Sequence, residues 1–429
     1  MSAMVADELA RAAGRLALLV DWERRARSGM RPGLEPVRDL CARLGDPQSR
    51  LRCVHVTGSK GKGTTAAIVA AALRKAGRKV GLYTSPHVER IVERLRIDGA
   101  EVEEDVLGRA LGRALDARDA AVREATPADD ATWFDVVTAA CLLAMVEAGC
   151  EWAVVEVGLG GRLDSTNIVD GLVAVVVNIE LEHCDVLGPT RTHIAREKGG
   201  IVKPGATLVT SLDEDDEAGL VLRTIALERG ARRIVVPPRG SWRERNADLA
   251  RAVLAALAEG DEGLGPGLVD DGVLAAARLP ARGEWRELDG AALLLDGVHV
   301  PAAIELAFAD EVRTRGKAAA VVLALGRDKD LPGVLKALRA TSDLLLCTSV
   351  ASGPLRGAEE LCEAASAAGW NARAVPDPLE ALRQAAASAG PRGWACVAGS
   401  FHLAGVARRA TRSLDAKDPP CSPSSPMCS

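Results

Sequence analysis

The densest run of reactive residue types is His55-Val56-Thr57-Gly58-Ser59-Lys60-Gly61-Lys62-Gly63-Thr64-Thr65. It follows a short β-rich stretch and opens an alanine-rich one. Glycines at 58, 61 and 63 let the backbone turn sharply, so successive N–H groups can converge on phosphate oxygens. A helix starting there adds the partial positive charge of its N-terminus. Lys62 is placed to neutralise β- and γ-phosphates, and the Thr64 hydroxyl can ligate Mg²⁺. The bland alternative is a Gly/Lys surface turn, which the strand–loop–helix context disfavours. The common phosphate-loop consensus, G-x-x-x-x-G-K-[ST], is not matched strictly, because Gly63 stands between Lys62 and Thr64.

Other polar residues sit where strands end, the edge at which ligands bind in parallel sheets. Ser85 follows the apolar run 80–84, and Glu156 closes the run that begins at 153. Alone, Ser85 would be a turn residue and Glu156 a helix cap or ion-pair partner. The glycines at 158, 160 and 161 after Glu156 permit close phosphate approach. His183 lies at another strand–loop junction, where a satisfied polar residue is the ordinary reading. Lys198, beside Glu197, would by default be a helix-end lysine interacting with the dipole. Asn246 opens a helical pattern, Arg282 falls near a domain junction, and Asp296 ends a strand with His299 close behind. Trp133 and Phe134 can stack on a flat heteroaromatic ring or simply fill a core.

Two blocks of alternating strand and helix patterns position these residues. The first block has strand candidates at 51–56, 80–84, 153–157 and 173–178, with helical patterns at 65–76 and 135–147. Such alternation predicts a mostly parallel α/β sheet covered on both faces. The second block has strand candidates at 292–296, 319–325, 344–348, 372–375 and 395–398, and reads as a five-strand doubly wound pattern. Helical patterns at 301–313, 331–339 and 358–368 separate them. A cut near residue 284 divides the blocks. The Gly-rich, acidic stretch 259–271 predicts a solvated loop, and 415–429, with four Pro and four Ser, predicts a disordered tail.

Bulk properties narrow the function classes. A chain of 429 residues is too long for one ordinary core. Net charge is −5, which gives no electrostatic footprint for nucleic acid or an anionic membrane. The 10 cysteines show neither C-x-x-C pairs nor zinc spacing, so reduced thiols in a cytosol are expected. No apolar run reaches the roughly 18 residues of a spanning helix, and the acidic and basic residues among 1–19 predict an amphipathic helix rather than a signal peptide. The expected location is cytoplasmic.

Several segments, in order and spread over nearly the whole chain, carry a resemblance. They are residues 58–64; Leu82-Tyr83-Thr84-Ser85-Pro86-His87; Glu156-Val157-Gly158-Leu159-Gly160-Gly161-Arg162-Leu163-Asp164-Ser165-Thr166-Asn167; and Ala195-Arg196-Glu197-Lys198-Gly199-Gly200-Ile201. Asp296-Gly297-Val298-His299-Val300-Pro301 and Gly399-Ser400 continue the series. Together they resemble the folylpolyglutamate synthase/dihydrofolate synthase family of the Mur-ligase superfamily.

That resemblance implies an α/β architecture: a P-loop ATPase domain of Mur-ligase type over 1–284, binding ATP and folate, and a smaller Rossmann-like glutamate ligase domain over 285–414. It implies ATP-dependent joining of L-glutamate to dihydropteroate or a folate through an acyl phosphate, as in folate biosynthesis and polyglutamylation, in a chain with both activities and usually a monomer. Further implied are catalytic roles for Lys62, Lys198 and His183, and Mg²⁺, at two sites, on Thr64, Ser85, Glu156 and His183. Nucleotide contacts are implied at Gly58, Gly61, Lys62, Gly63, Thr64, Asn246, Arg282, Asp296 and His299. Pterin contacts are implied at Gly33, Leu34, Thr132, Trp133, Phe134, Leu163, Asp164 and Ser165. Lys198 would carry a carbamate made from CO₂; no organic redox cofactor, nucleic acid or membrane is expected.

The chain departs from the family pattern at Ser59-Lys60 (usually Thr-Asn), at Glu182 (usually Asp) and at Val300 (usually Asn). These departures motivate one alternative, a non-catalytic nucleotide-binding relative; a second, a Mur-type ligase for another carboxylate, is disfavoured by the runs 83–87 and 161–167.

Overall fold

The structure, a computed structural model, describes residues 2–23, 33–351 and 355–413. It divides into two compact units, Met1–Ala277 and Arg278–Ser429. The division lies a few residues ahead of the expected cut near 284, because Arg282–Leu288 is a strand of the second sheet rather than a linker. The tail expected at 415–429 lies outside the described residues.

The first unit is built on strands β1 (Arg52–Thr57), β2 (Val80–Tyr83), β3 (Leu95–Ile97), β4 (Ala100–Glu101), β5 (Trp152–Glu156), β6 (Gly171–Val176), β7 (Thr207–Thr210) and β8 (Arg232–Val235). Their order is β4-β3-β2-β5-β1-β6-β7-β8. From β2 to β8 along that order every pairing is parallel, and β3 and β4 add an antiparallel edge. The central strands are buried on both faces and accordingly read as continuous apolar runs. β1 sits between β5 and β6, with Val56 opposite Glu156 on one side and Thr57 opposite Val176 on the other. The chain therefore leaves β1, β5 and β6 at one edge, side by side.

Helices α1 (Ser2–Leu16), α2 (Glu35–Arg43), α3 (Lys62–Lys75), α4 (Glu104–Glu124) and α5 (Trp133–Glu147) lie in the first half of this unit. α6 (Cys184–Leu187), α7 (Arg191–Gly199), α8 (Glu217–Glu228), α9 (Trp242–Ala258) and α10 (Asp271–Ala276) follow. Leu40, Leu107, Leu111, Val136 and Met145 share one core with Val155 of β5. Ile194, Ala195 and Leu222 share another with Val176 of β6. Local chemistry sets several helix starts: Thr132 and Asp135 form a reciprocal capping box at α5, and Ser241 and Glu244 another at α9. The stretch 259–271 is the loop expected, mostly exposed and with one short 3₁₀ turn, but it is anchored to the unit. Leu264 and Val269 are buried, and Asp261 forms ion pairs with Arg52 and Arg78.

The second unit is a seven-stranded sheet, not a five-stranded one. Its strands are β9 (Arg282–Leu288), β10 (Ala291–Asp296), β11 (Val321–Leu323), β12 (Leu344–Cys347), β13 (Asn371–Ala374), β14 (Trp394–Ala398) and β15 (Arg412–Ser413). The five expected strands pair in parallel as β13-β12-β11-β14-β10; β9 and β15 extend the sheet antiparallel beyond β10. β9 escaped the apolar-run criterion because Arg282, Glu284, Arg286 and Glu287 interrupt it. Alternation on β10 is clean: Leu294 enters one core, Leu293 and Leu295 the opposite one.

Gly108 on α4 shows how closely the first unit packs. A Cβ there would lie 2.7 Å from the Leu9 backbone nitrogen on α1, and backbone cannot swing aside. Gly108→Val is expected to cost about 1–3 kcal/mol, read as a lower unfolding midpoint in thermal or urea denaturation.

Candidate active site

The loop after β1 is held open by its neighbours on the β6 side. The Ser59 amide donates to the Asn178 carbonyl (3.0 Å), and the Lys60 amide donates to Asn178 Oδ1 (2.8 Å). The Glu180 amide donates to the Ser59 hydroxyl (2.9 Å). Gly58 has φ +151°, and a Cβ there would meet Val177 Cβ at 2.9 Å. Gly61 has φ +80°, and its Cβ would meet Asn246 Oδ1 at 2.5 Å and the Trp242 ring at 2.8 Å. Both positions need glycine for conformation and for space. α3 begins at Lys62, so Gly63 and Thr64 stand in its first turn, the electropositive end.

Two ammonium groups converge beneath this loop. Lys62 Nζ donates to the Gly58 carbonyl at 2.8 Å, and Lys198 Nζ donates to the same oxygen at 3.1 Å. Lys198 is 1% exposed at the end of α7 and also donates to Glu182 Oε1 at 2.9 Å. Burial pushes the Lys198 pKa down, against the pull of Glu182. Burial likewise opposes ionisation of Glu182, but the charges of Lys198, Lys62 and Lys60 outweigh it and hold that carboxyl well below its usual range. His183 follows Glu182 directly, half-buried, at φ +49°.

On the β5 side, Glu156 is 2% exposed, and its Oε2 accepts from the Ser85 amide at 3.0 Å. The two strand-end residues singled out as metal ligands are thus joined. Among the described residues no group of three or more His, Cys, Asp or Glu forms a self-sufficient metal cage. A site of one carboxylate, one imidazole and hydroxyls suits Mg²⁺ carried on phosphates, since that ion keeps water and takes few protein ligands. Asn246, singled out for the nucleotide, lies beside the loop after β1. Its Oδ1 accepts from Thr65 Oγ1 (3.2 Å), while Nδ2 is buried without a hydrogen-bond partner beside Gly61.

The residues named for a flat substrate have varied surroundings. Thr132 donates to Asp135, and Asp135 accepts from Ser165 Oγ at 2.6 Å, so these hydroxyls are engaged within the fold. Asp164 accepts from the Leu159 amide (2.8 Å) and from Thr166, and burial raises its pKa. Trp133 is buried, with the Arg94 guanidinium 4.7 Å from its ring centre. Phe134 is half-buried against Gly158; Leu163 and Gly33 are half-buried, and Leu34 is buried. In the second unit, Arg282 lies 5.1 Å from the Phe401 ring centre, and Asp296 Oδ1 accepts from the Val298 amide (2.9 Å). His299 Nδ1 donates to the Gly297 carbonyl at 3.0 Å, leaving Nε2 as its acceptor.

Sequence reasoning missed Asn178 and Arg94. Asn178 could have been found by the same signal as Glu156, a polar residue just past an apolar strand. Arg94 could not, since nothing in its neighbourhood marks a fully buried guanidinium that donates to His87 Nδ1 (2.8 Å) and pairs with Glu23.

Residues 56–237 match the Mur ligase middle domain, and 281–401 match the Mur ligase glutamate ligase domain. The dihydrofolate synthase/folylpolyglutamate synthase of Escherichia coli K12 is 32% identical over 398 residues, covering 86% of this chain and 89% of that protein. A probable bifunctional folylpolyglutamate synthase/dihydropteroate synthase of Haloferax volcanii is 41% identical over 199 residues, covering 45% of this chain and 23% of that one. The match thus spans about a quarter of the haloarchaeal protein's length. The Yersinia pestis bifunctional folylpolyglutamate synthase/dihydrofolate synthase, solved with AMPPNP and a Mn ion, superposes with a TM-score of 0.76 at 29% identity, covering 94% of this chain and 97% of that one. The chain belongs to the folylpolyglutamate synthase/dihydrofolate synthase family of Mur-type ligases.

Gly61→Ala forces both a strained φ and an overlap with Asn246. ATP affinity, measured by isothermal titration calorimetry with Mg²⁺, is expected to fall at least about tenfold, which corresponds to about 1.4 kcal/mol.

Proposed function

We propose that the chain is an ATP-dependent ligase that joins L-glutamate to dihydropteroate and to reduced folates, carrying both activities. The observation that carries this reading is the convergence of Lys62 and Lys198 on the Gly58 carbonyl, beside the Ser85–Glu156 pair. A carboxylate is a poor acylating agent, and phosphorylation supplies a leaving group. The acceptor carboxylate attacks the γ-phosphorus and ADP leaves. The glutamate amine then attacks the acyl carbon, the C–O bond to phosphate breaks, and the amine loses a proton. Lys62 and the loop amides bind and orient the phosphates, and Asn246 Nδ2 is a donor placed for a nucleotide acceptor atom. Thr64, Ser85, Glu156 and His183 would hold Mg²⁺, which supplies charge neutralisation on the phosphoryl oxygens. Arg282, Asp296 and His299 are the residues the family resemblance proposes as further nucleotide contacts. Gly33, Leu34, Thr132, Trp133, Phe134, Leu163, Asp164 and Ser165 form the pterin side. Trp133 and the hydroxyls there act largely as support, given their burial.

Carbamylation of Lys198 belongs to this proposal. Burial lowers the Lys198 pKa and so brings the neutral amine within easier reach; that amine attacks CO₂, forms an N–C bond and releases a proton. The resulting carbamate would exchange the ion pair with Glu182 for a role as an anionic arm. A monomer in the cytoplasm is the matching assembly and location; no helix among the described residues is long and apolar enough to cross a membrane.

The test is phosphate release by the purified protein with ATP, Mg²⁺ and glutamate, comparing dihydropteroate and tetrahydrofolate as acceptors. Both are expected to respond. A response to dihydropteroate alone removes the polyglutamylation half, and a response to neither removes the ligase reading. Lys198→Ala is expected to lower the rate about a hundredfold or more, with partial recovery on adding a short carboxylic acid. Undiminished activity without the additive removes the role of Lys198.

A further inference from the structure

His55 and Thr57 alternate along β1, so their side chains leave the same face of the sheet. Both reach the segment that follows β5. Thr57 Oγ1 donates to the Gly160 carbonyl at 2.7 Å, and His55 Nε2 lies 2.9 Å from Thr166 Oγ1. His55 is fully buried, as is Thr166. The Thr166 hydroxyl donates its one proton to Asp164 Oδ1, so it must accept from His55. His55 is therefore protonated at Nε2, and its Nδ1 is buried without a partner. Burial pushes the pKa of this imidazole down to about 3, consistent with a neutral ring and a single donor.

The chain of donors ends on the Asp164 carboxylate, onto which backbone amides also donate. Asp164 Oδ1 also accepts from the Thr166 amide (3.0 Å), and Oδ2 accepts from the Leu159 amide (2.8 Å). A Cβ on Gly158 would stand 3.1 Å from the same Oδ2 and 2.6 Å from Phe134. A Cβ on Gly161 would stand 2.9 Å from the Glu197 carbonyl and 3.0 Å from that of Lys198. Residues 158–161 thus lie against the α7 turn that carries Lys198, directly after Glu156. The strand that feeds the phosphate loop fixes this neighbouring loop at two points.

We propose that His55 is a positioning residue: acting through Thr166 and Asp164, it fixes the backbone of residues 158–161 and with it the placement of Glu156 and Lys198. Asp164 is the relay's one member on the proposed pterin side, and none of the three is assigned to the nucleotide, so loss of His55 or Thr166 disturbs turnover rather than nucleotide binding. The kinetic part rests on the ligase reading; the backbone part does not.

Four variants separate the relay from simple packing. His55→Leu and Thr166→Val remove the polar links at similar volume. His55→Gln retains a donor near the Nε2 position, and Thr166→Ser retains the hydroxyl. Hydrogen exchange of the peptide spanning 157–167 is read by mass spectrometry on each full-length protein. His55→Leu and Thr166→Val are expected to exchange there at least about tenfold faster, with His55→Gln and Thr166→Ser close to the parent chain. In the ligase assay, the first two are expected to lose about tenfold in kcat with the KM for ATP within about twofold. The double variant His55→Leu/Thr166→Val is expected to lose no more than either single one, because both cut one chain.

Unchanged protection in His55→Leu overturns the proposal, as does full additivity in the double variant. If His55→Leu does not fold, the Thr166→Val and Thr166→Ser pair decides: equal protection in both overturns it. An inactive parent chain counts against the ligase reading alone, since the exchange result still decides the relay.

Discussion

Two lysine ammonium groups share one backbone carbonyl, that of Gly58, and the architecture of the first unit follows from tolerating that arrangement. Like charges held this close repel, and Lys198 has in addition left water almost completely. Glu182 offsets the cost on one side. Breaking such a buried pair typically costs about 3–5 kcal/mol, so the cluster is held together by the fold rather than by the attraction alone. Under the proposed function Lys62 keeps its positive charge when Lys198 is carbamylated, and it is Lys62 that meets an incoming polyphosphate. A loop of amides at the first turn of α3 adds directionality to that attraction.

The parallel sheet supplies the means of assembly. Because β1 lies between β5 and β6, the loops bearing Gly58, Glu156 and Asn178 are neighbours, though the residues are far apart in sequence. The Ser59 and Lys60 amides lean on Asn178 from one side, and Thr57 and His55 grip the loop after β5 on the other. The departures at Ser59-Lys60 and Glu182 fall in one electrostatic group, since the charge of Lys60 helps to keep Glu182 ionised. An added cation and a longer acid arm therefore meet in the same place, which reads as adjustment within a working phosphate site.

Much of this was legible in the sequence because phosphate chemistry is local. Glycines, a lysine and a threonine must be contiguous to form the loop, and apolar strands must end where polar ligands begin. Most buried parallel strands were found within a residue or two, as with β2 and β12, but β7, short and flanked by threonines, was missed. Strands carrying charge were missed as well: β9 alternates Arg and Glu, and the β3–β4 hairpin and half-buried β8 lack a long apolar run. Side-chain partners were beyond reach for a different reason. That His55 would meet Thr166, or that Arg94 would lie on Trp133, depends on packing between distant segments. The composition of 259–271 gave its loop character but not its anchoring through the buried Leu264 and Val269.

The central claim is that the phosphates gathered at Gly58 are used to activate a carboxylate. It is tested most directly by supplying the acceptor with ¹⁸O in its carboxylate and analysing the released phosphate by mass spectrometry. An acyl phosphate transfers one labelled oxygen to phosphate when the glutamate amine displaces it, so one ¹⁸O per phosphate is the predicted result. Phosphate that leaves without label, while product forms, would contradict the account.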